Sequence, residues 1–160
     1  MKKIVSGILG LVVLSLASGL LAAPVVSLPK GYESWEKSRQ KIVDDKKSLF
    51  YGVHYIYPDK KAMKVYKGGG SYPEGSRFVV VFYSLKNEGG KQVEGKKNMV
   101  VLMQRDKKQQ ETGGWLFAGY GADGKPSGID PVKNCFECHQ KDAPERQFVI
   151  SKIEDFAEKK

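Results

Sequence analysis

Arg77-Phe78-Val79-Val80-Val81-Phe82-Tyr83 is the most strongly β-prone run in the chain, with β-branched or aromatic residues at nearly every position. It is apolar at odd and even positions alike, so both faces need burial and the strand belongs in the middle of a sheet. Downstream, Asn98 to Arg105 (Asn-Met-Val-Val-Leu-Met-Gln-Arg) reads as a second strand. The polar, glycine-bearing connection Lys86 to Lys97 makes the pair a long-looped hairpin. A turn through Asp106 to Gly113 leads into a third strand, Gly114 to Tyr120, ended by Gly121 and Gly124. Three consecutive strands with short connections predict an antiparallel meander.

Upstream, Leu49 to Tyr57 is rich in aromatic and β-branched residues and is closed by Pro58, which predicts another strand. Asp59 is placed to cap a helix over Lys60 to Lys67, with Ala62, Met63 and Tyr66 on one face and Gly68-Gly69-Gly70 ending it. The polar segment Tyr32 to Lys46, with Trp35, Ile42 and Val43 interspersed, predicts a short amphipathic helix. The fold class is therefore α+β, a mainly antiparallel β-sheet with short flanking helices. After the sheet, a loop marked by Pro126, Gly128 and Pro131 leads to the chemical centre of the chain, and Gln140 to Pro144 run on into Phe148-Val149-Ile150 and a polar tail.

That centre is Cys135-Phe136-Glu137-Cys138-His139, which holds both cysteines and one of the two histidines. Two thiols separated by two residues can each add to a vinyl group of a haem, and the next histidine can ligate the iron from beneath the ring, so the pentapeptide reads as a haem c attachment site. A redox-active disulfide would share the spacing, but it is expected near a βαβ pattern and has no use for the histidine. A closed zinc site needs four ligands, and the other candidate is the solitary His54. A structural disulfide across two residues is strained.

Lys2 and Lys3 followed by the apolar run Ile4 to Leu21 and Ala22-Ala23-Pro24 predict a secretory signal peptide over residues 1–23, leaving 24–160 as a single haem-binding domain exported to a bacterial periplasm. Export agrees with haem c, which is attached after the chain crosses the membrane. Setting the two leader lysines aside leaves 25 basic against 18 acidic residues, a formal +7. The lysines are scattered, and no arginine-rich helix or aromatic-interleaved stretch argues for nucleic acid. A field of this sign suits an acidic redox partner protein.

Several features in this order resemble the family that contains cytochrome P-460 and cytochrome c′-beta: Gly31-Tyr32 with Trp35, His54 to Pro58, Tyr72-Pro73-Glu74-Gly75, Gly113-Gly114-Trp115, and Cys135 to His139. The resemblance implies an antiparallel sheet with flanking helices, a homodimer, and a five-coordinate haem whose open face binds a small molecule. In the P-460 branch a lysine crosslinks the haem of a hydroxylamine-oxidising enzyme. In the c′-beta branch phenylalanines cap the distal face, and the protein binds nitric oxide or carbon monoxide or carries electrons. Ser71 to Leu85 contains no lysine, whereas Phe78 and Phe82 share one side of the central strand, so the c′-beta branch is favoured. Lys67 and Lys86 flank that strand and are the crosslink candidates of the enzyme reading.

Haem c is thus expected to be bound covalently through Cys135 and Cys138, with His139 on the iron. Phe78 and Phe82 are weighed as a haem cap against ordinary core packing, and Arg77 and Arg105 as propionate partners against exposed strand-end arginines. Met63, Met99, Met103 and His54 are the sixth-ligand candidates of a third reading, a six-coordinate electron carrier, with core packing or a structural histidine as the alternative roles.

Overall fold

The computed structural model describes residues 26–156, and the leader expected over residues 1–23 lies outside them. Five strands form one antiparallel sheet in chain order: β1 (Lys41–Val43), β2 (Gly52–Pro58), β3 (Arg77–Glu88), β4 (Lys91–Arg105) and β5 (Trp115–Gly121). The β-prone run that opens β3 is the middle strand, as its two apolar faces require. The meander β3-β4-β5 and the α+β class stand as read from the sequence. Helix α1 (Lys60–Gly68) bridges β2 and β3. It starts where the Asp59 carboxylate accepts from the Ala62 N–H at 2.8 Å, and it stops at Gly69, where φ is 73°.

The sheet is covered on both sides. Ile56, Phe78, Met103 and Phe117 face one layer with Tyr72, Trp115, Phe136 and Val149. Tyr57, Val79, Val81, Val100, Leu102 and Tyr120 face the other, beneath Tyr32 and the segment from Val26 to Trp35. The first layer carries α1, the second helix α2 (Glu137–Asp142) and the chain beyond it, so the functional motif is held against this face.

Three expectations are corrected. Residues 86–97 are not a long loop: β3 and β4 run on through them to the pair Glu88↔Lys91, joined by Gly89 and Gly90. Both glycines have positive φ, 59° and 80°, the combination a tight two-residue hairpin turn needs. The polar sequence reflects a ribbon that projects beyond the covering layers into solvent. The helix expected over Tyr32 to Lys46 is a single 3₁₀ turn, Tyr32–Ser34, followed by extended chain and β1. Tyr32 and Trp35 are drawn to the second face of the sheet, and the open edge of β2 recruits Lys41–Val43 by backbone pairing. Leu49 to Tyr51 form turns rather than the start of β2, with Tyr51 N–H bonded to the Ser48 carbonyl at 3.1 Å.

Candidate functional site

Asp130 begins the site. Its carboxylate accepts from the N–H groups of Val132 and Lys133 at 2.9 and 3.0 Å, and Pro131 follows at a position where a missing N–H costs nothing. The chain then winds as a π-helical turn over Pro131–Phe136 before tightening into α2, a geometry frequent at functional sites. This turn buries Cys135 and leaves Cys138 exposed, with both thiols free. Burial pushes the Cys135 thiol up to about 12. Burial also raises Cys138, as does Asp142, which accepts from its Sγ at 3.4 Å. Two thiols held protonated are poor nucleophiles, which argues against a thiol-disulfide exchange site.

His139 is one turn further on. Its Nδ1 lies 2.6 Å from the Phe148 carbonyl, and a carbonyl can only accept, so the ring proton is on Nδ1 and the Nε2 lone pair is free. Burial lowers the pKa of the imidazole and keeps it neutral, and its ring stands edge-on to Phe117 of β5 at 5.1 Å. The Phe148 carbonyl is itself held by unusual backbone. Gln147 and Phe148 are the two non-glycine residues at positive φ among the described residues, 53° and 66°. Three bonds clamp Gln147: its carbonyl accepts from Trp115 Nε1 at 2.8 Å, its Oε1 from Tyr72 N–H at 3.1 Å, and its Nε2 donates to the Gly70 carbonyl at 3.0 Å.

Cys135, Cys138 and His139 border a cavity whose remaining walls are mostly apolar, formed by the sheet and the segment Val149 to Ser151. Phe78, Val80 and Phe82 of β3 all line it, as their shared parity requires. Phe78 is tied into the core by Tyr66, Tyr72 and Trp115, with ring centroids 5.5 to 5.9 Å away. Phe82 instead stacks on Phe50 at 5.0 Å and lies 5.1 Å from the ring of His54. Lys41, the cross-strand partner of His54, borders the same flank and is paired with Asp155 at 2.9 Å.

Several expected residues are not brought to the cavity. Arg77 has the opposite parity to Phe78 and does not line the cavity. The guanidinium of Arg105 donates to the carbonyls of Gly113 and Gly114 at 2.8 and 2.9 Å and staples a turn. Lys67 is exposed on α1 beside Glu36, and Lys86 is exposed on the projecting ribbon; neither reaches the cavity. Met103 lines it, whereas Met63 and Met99 do not. Phe50 and Lys41 were missed because one lies in a turn and the other on a three-residue edge strand, where no periodicity marks a facing side. Gln147 carries no sequence signal at all.

Among the described residues no group of three or more His, Cys, Asp or Glu is gathered to hold a bare metal ion. Two thiols and one imidazole with a free Nε2, at one wall of an apolar cleft, instead fit a haem, whose ring brings most of the iron's ligands with it. The sequence model of the family described as Cytochrome P460 matches residues 29–151. No curated protein matches the chain.

Proposed function

The chain belongs to the cytochrome P460 family, and from that premise we propose that it is a monohaem c-type cytochrome of the c′-beta kind that binds nitric oxide or carbon monoxide, transfers electrons, or both. The observation that carries this reading is the asymmetry of the cavity, with Cys135, Cys138 and His139 on one flank and the Phe50-Phe82 stack on another. Cys135 and Cys138 would hold the haem as thioethers, and His139 Nε2 would be the protein's ligand to the iron. When bound, the haem supplies an iron that exchanges one electron and takes a small uncharged ligand.

The protein's own groups set the terms. The Phe148 carbonyl, by accepting from Nδ1, orients the His139 imidazole and raises its basicity as a ligand. Phe50 and Phe82 offer walls that disfavour water and anions but tolerate an uncharged diatomic. Residues 1–23 support export to a periplasm, the net positive charge supports an acidic redox partner, and the family resemblance supports a homodimer.

Optical spectra of the ferric and ferrous protein, with and without nitric oxide and carbon monoxide, test this reading. A high-spin, five-coordinate spectrum that changes with either gas is expected. A low-spin six-coordinate ferric spectrum with a protein ligand would refute the open face and favour the electron carrier, for which His54 and Met103 both border the cavity. A second reading, hydroxylamine oxidation by a lysine-crosslinked haem, draws support from Lys41, the lysine that borders the cavity. Mass spectrometry of the tryptic haem peptide separates the two: a haem joined to the Cys135-Cys138 peptide alone excludes the crosslink.

A further inference from the structure

Beyond Cys135, Cys138 and His139, the cavity holds a buried polar atom that no described residue satisfies. His54 has the parity of Ile56 on β2 and lines the cavity beside Phe82. Its Nδ1 is buried and has no hydrogen-bond partner among the described residues. Folded proteins rarely leave a buried polar nitrogen unpaired, and those that persist call for a functional explanation. An orphaned lone pair is less costly than an orphaned N–H, so the ring proton belongs on Nε2, which leaves that N–H as the donor His54 can offer to a guest.

The neighbours sharpen the assignment. Lys41 is paired with Asp155 and Ser151 with the Tyr66 hydroxyl, which leaves His54 as the cavity-lining side chain whose buried nitrogen has no partner among the described residues. Burial, followed by the nearby Lys41 charge, depresses the His54 pKa to about 4, so the ring is neutral near pH 7. His139 packs under β5 while His54 sits on β2, three strand spacings or roughly 14 Å across the sheet, so the two rings stand at different flanks of the cavity.

We propose that His54 is a specificity-determining residue that donates a hydrogen bond to a small molecule bound in the cavity, favouring ligands whose outer atom carries partial negative charge. The proposal rests on the open-face haem reading above. It gives a mostly apolar pocket a point of polar recognition on the β2 flank.

The test uses the full haem-loaded chain and the infrared C–O stretch of its ferrous carbon monoxide adduct, in wild type, His54→Leu and His54→Gln. A donor beside the ligand lowers this frequency, so His54→Leu is expected to shift it upward and His54→Gln, which keeps an N–H donor, to bring it part of the way back. The same frequency in all three proteins overturns the donor role while leaving the open-face reading intact. An adduct that forms in His54→Leu but not in wild type identifies His54 as an iron ligand and overturns both. If His54→Leu does not fold, a frequency in His54→Gln identical to wild type in both H₂O and D₂O, with no isotope shift in either, overturns the donor role by itself.

Discussion

Replacing Trp115 with phenylalanine tests how His139 is held and, under the proposed function, how it acts on the iron. Trp115 is fully buried, its ring 5.5 Å from Tyr72 and 5.9 Å from Phe78, and its indole N–H donates to the Gln147 carbonyl at 2.8 Å. Phenylalanine keeps an aromatic ring in the cluster but removes that donor. Leaving this half-buried carbonyl unpaired costs about 1 to 3 kcal/mol. The smaller ring leaves a void worth about 1 kcal/mol more. Together the loss is about 2 to 4 kcal/mol, which for a domain of this size lowers Tm by roughly 10 °C. The strained Gln147-Phe148 backbone loses one of its three clamps, so the Phe148 carbonyl relaxes away from His139 Nδ1. The ferrous iron–histidine stretch is then expected to fall and the reduction potential to rise, because the imidazole becomes a weaker base. Circular dichroism melting and resonance Raman of the haem-loaded variant read both effects. A stability loss under about 1 kcal/mol would refute the energetic argument. A full loss with an unchanged iron–histidine stretch would show that Trp115 does not act on His139 through Gln147.

Other perturbations probe separate links. Gly52→Ala drives a Cβ into the Tyr83 carbonyl oxygen at a φ of +138°, and a stability loss above about 2 kcal/mol is expected in urea titrations. An unchanged midpoint would mean the β2-β3 register is not held there. Asp59→Ala removes the cap of α1 and is expected to cost about 1 kcal/mol, with loss of helical signal confined to that segment in hydrogen exchange. His54, lowered by burial from 6.5 to about 4, gives stability that is complete above pH 6.5 and lost as pH falls toward 4, since only the unfolded chain takes up the proton there. The loss amounts to about 2 to 3 kcal/mol, and His54→Gln is expected to flatten that part of the curve in denaturant titrations at pH 4.5 and 7. Equal slopes in the two proteins would show that His54 is not the titrating group.

The sequence by itself determined the parts whose causes are local. Val79 to Val81 and their neighbours demand a strand wherever they are placed, Asp59 caps whatever helix follows it, and Cys135 to His139 set two thiols and an imidazole within five residues. Gly89-Gly90 was equally local, but the polar residues around it masked a hairpin whose strands run outside the core. Tertiary structure decided what depends on distant partners. Because β3 is apolar on both sides, its parity is known while the side that holds the cavity is not, and that choice brings in Phe82 and excludes Arg77. Tyr32 and Trp35 left their expected helix to cover a sheet face that no local window contains. Phe50, Lys41 and His54 come to the cavity, and Gln147 and Trp115 to the backbone that holds His139, only once five strands and the closing segment are in register. Burial, pairing and the holding of one carbonyl against His139 are properties of that three-dimensional arrangement, because each is set by atoms far apart along the chain.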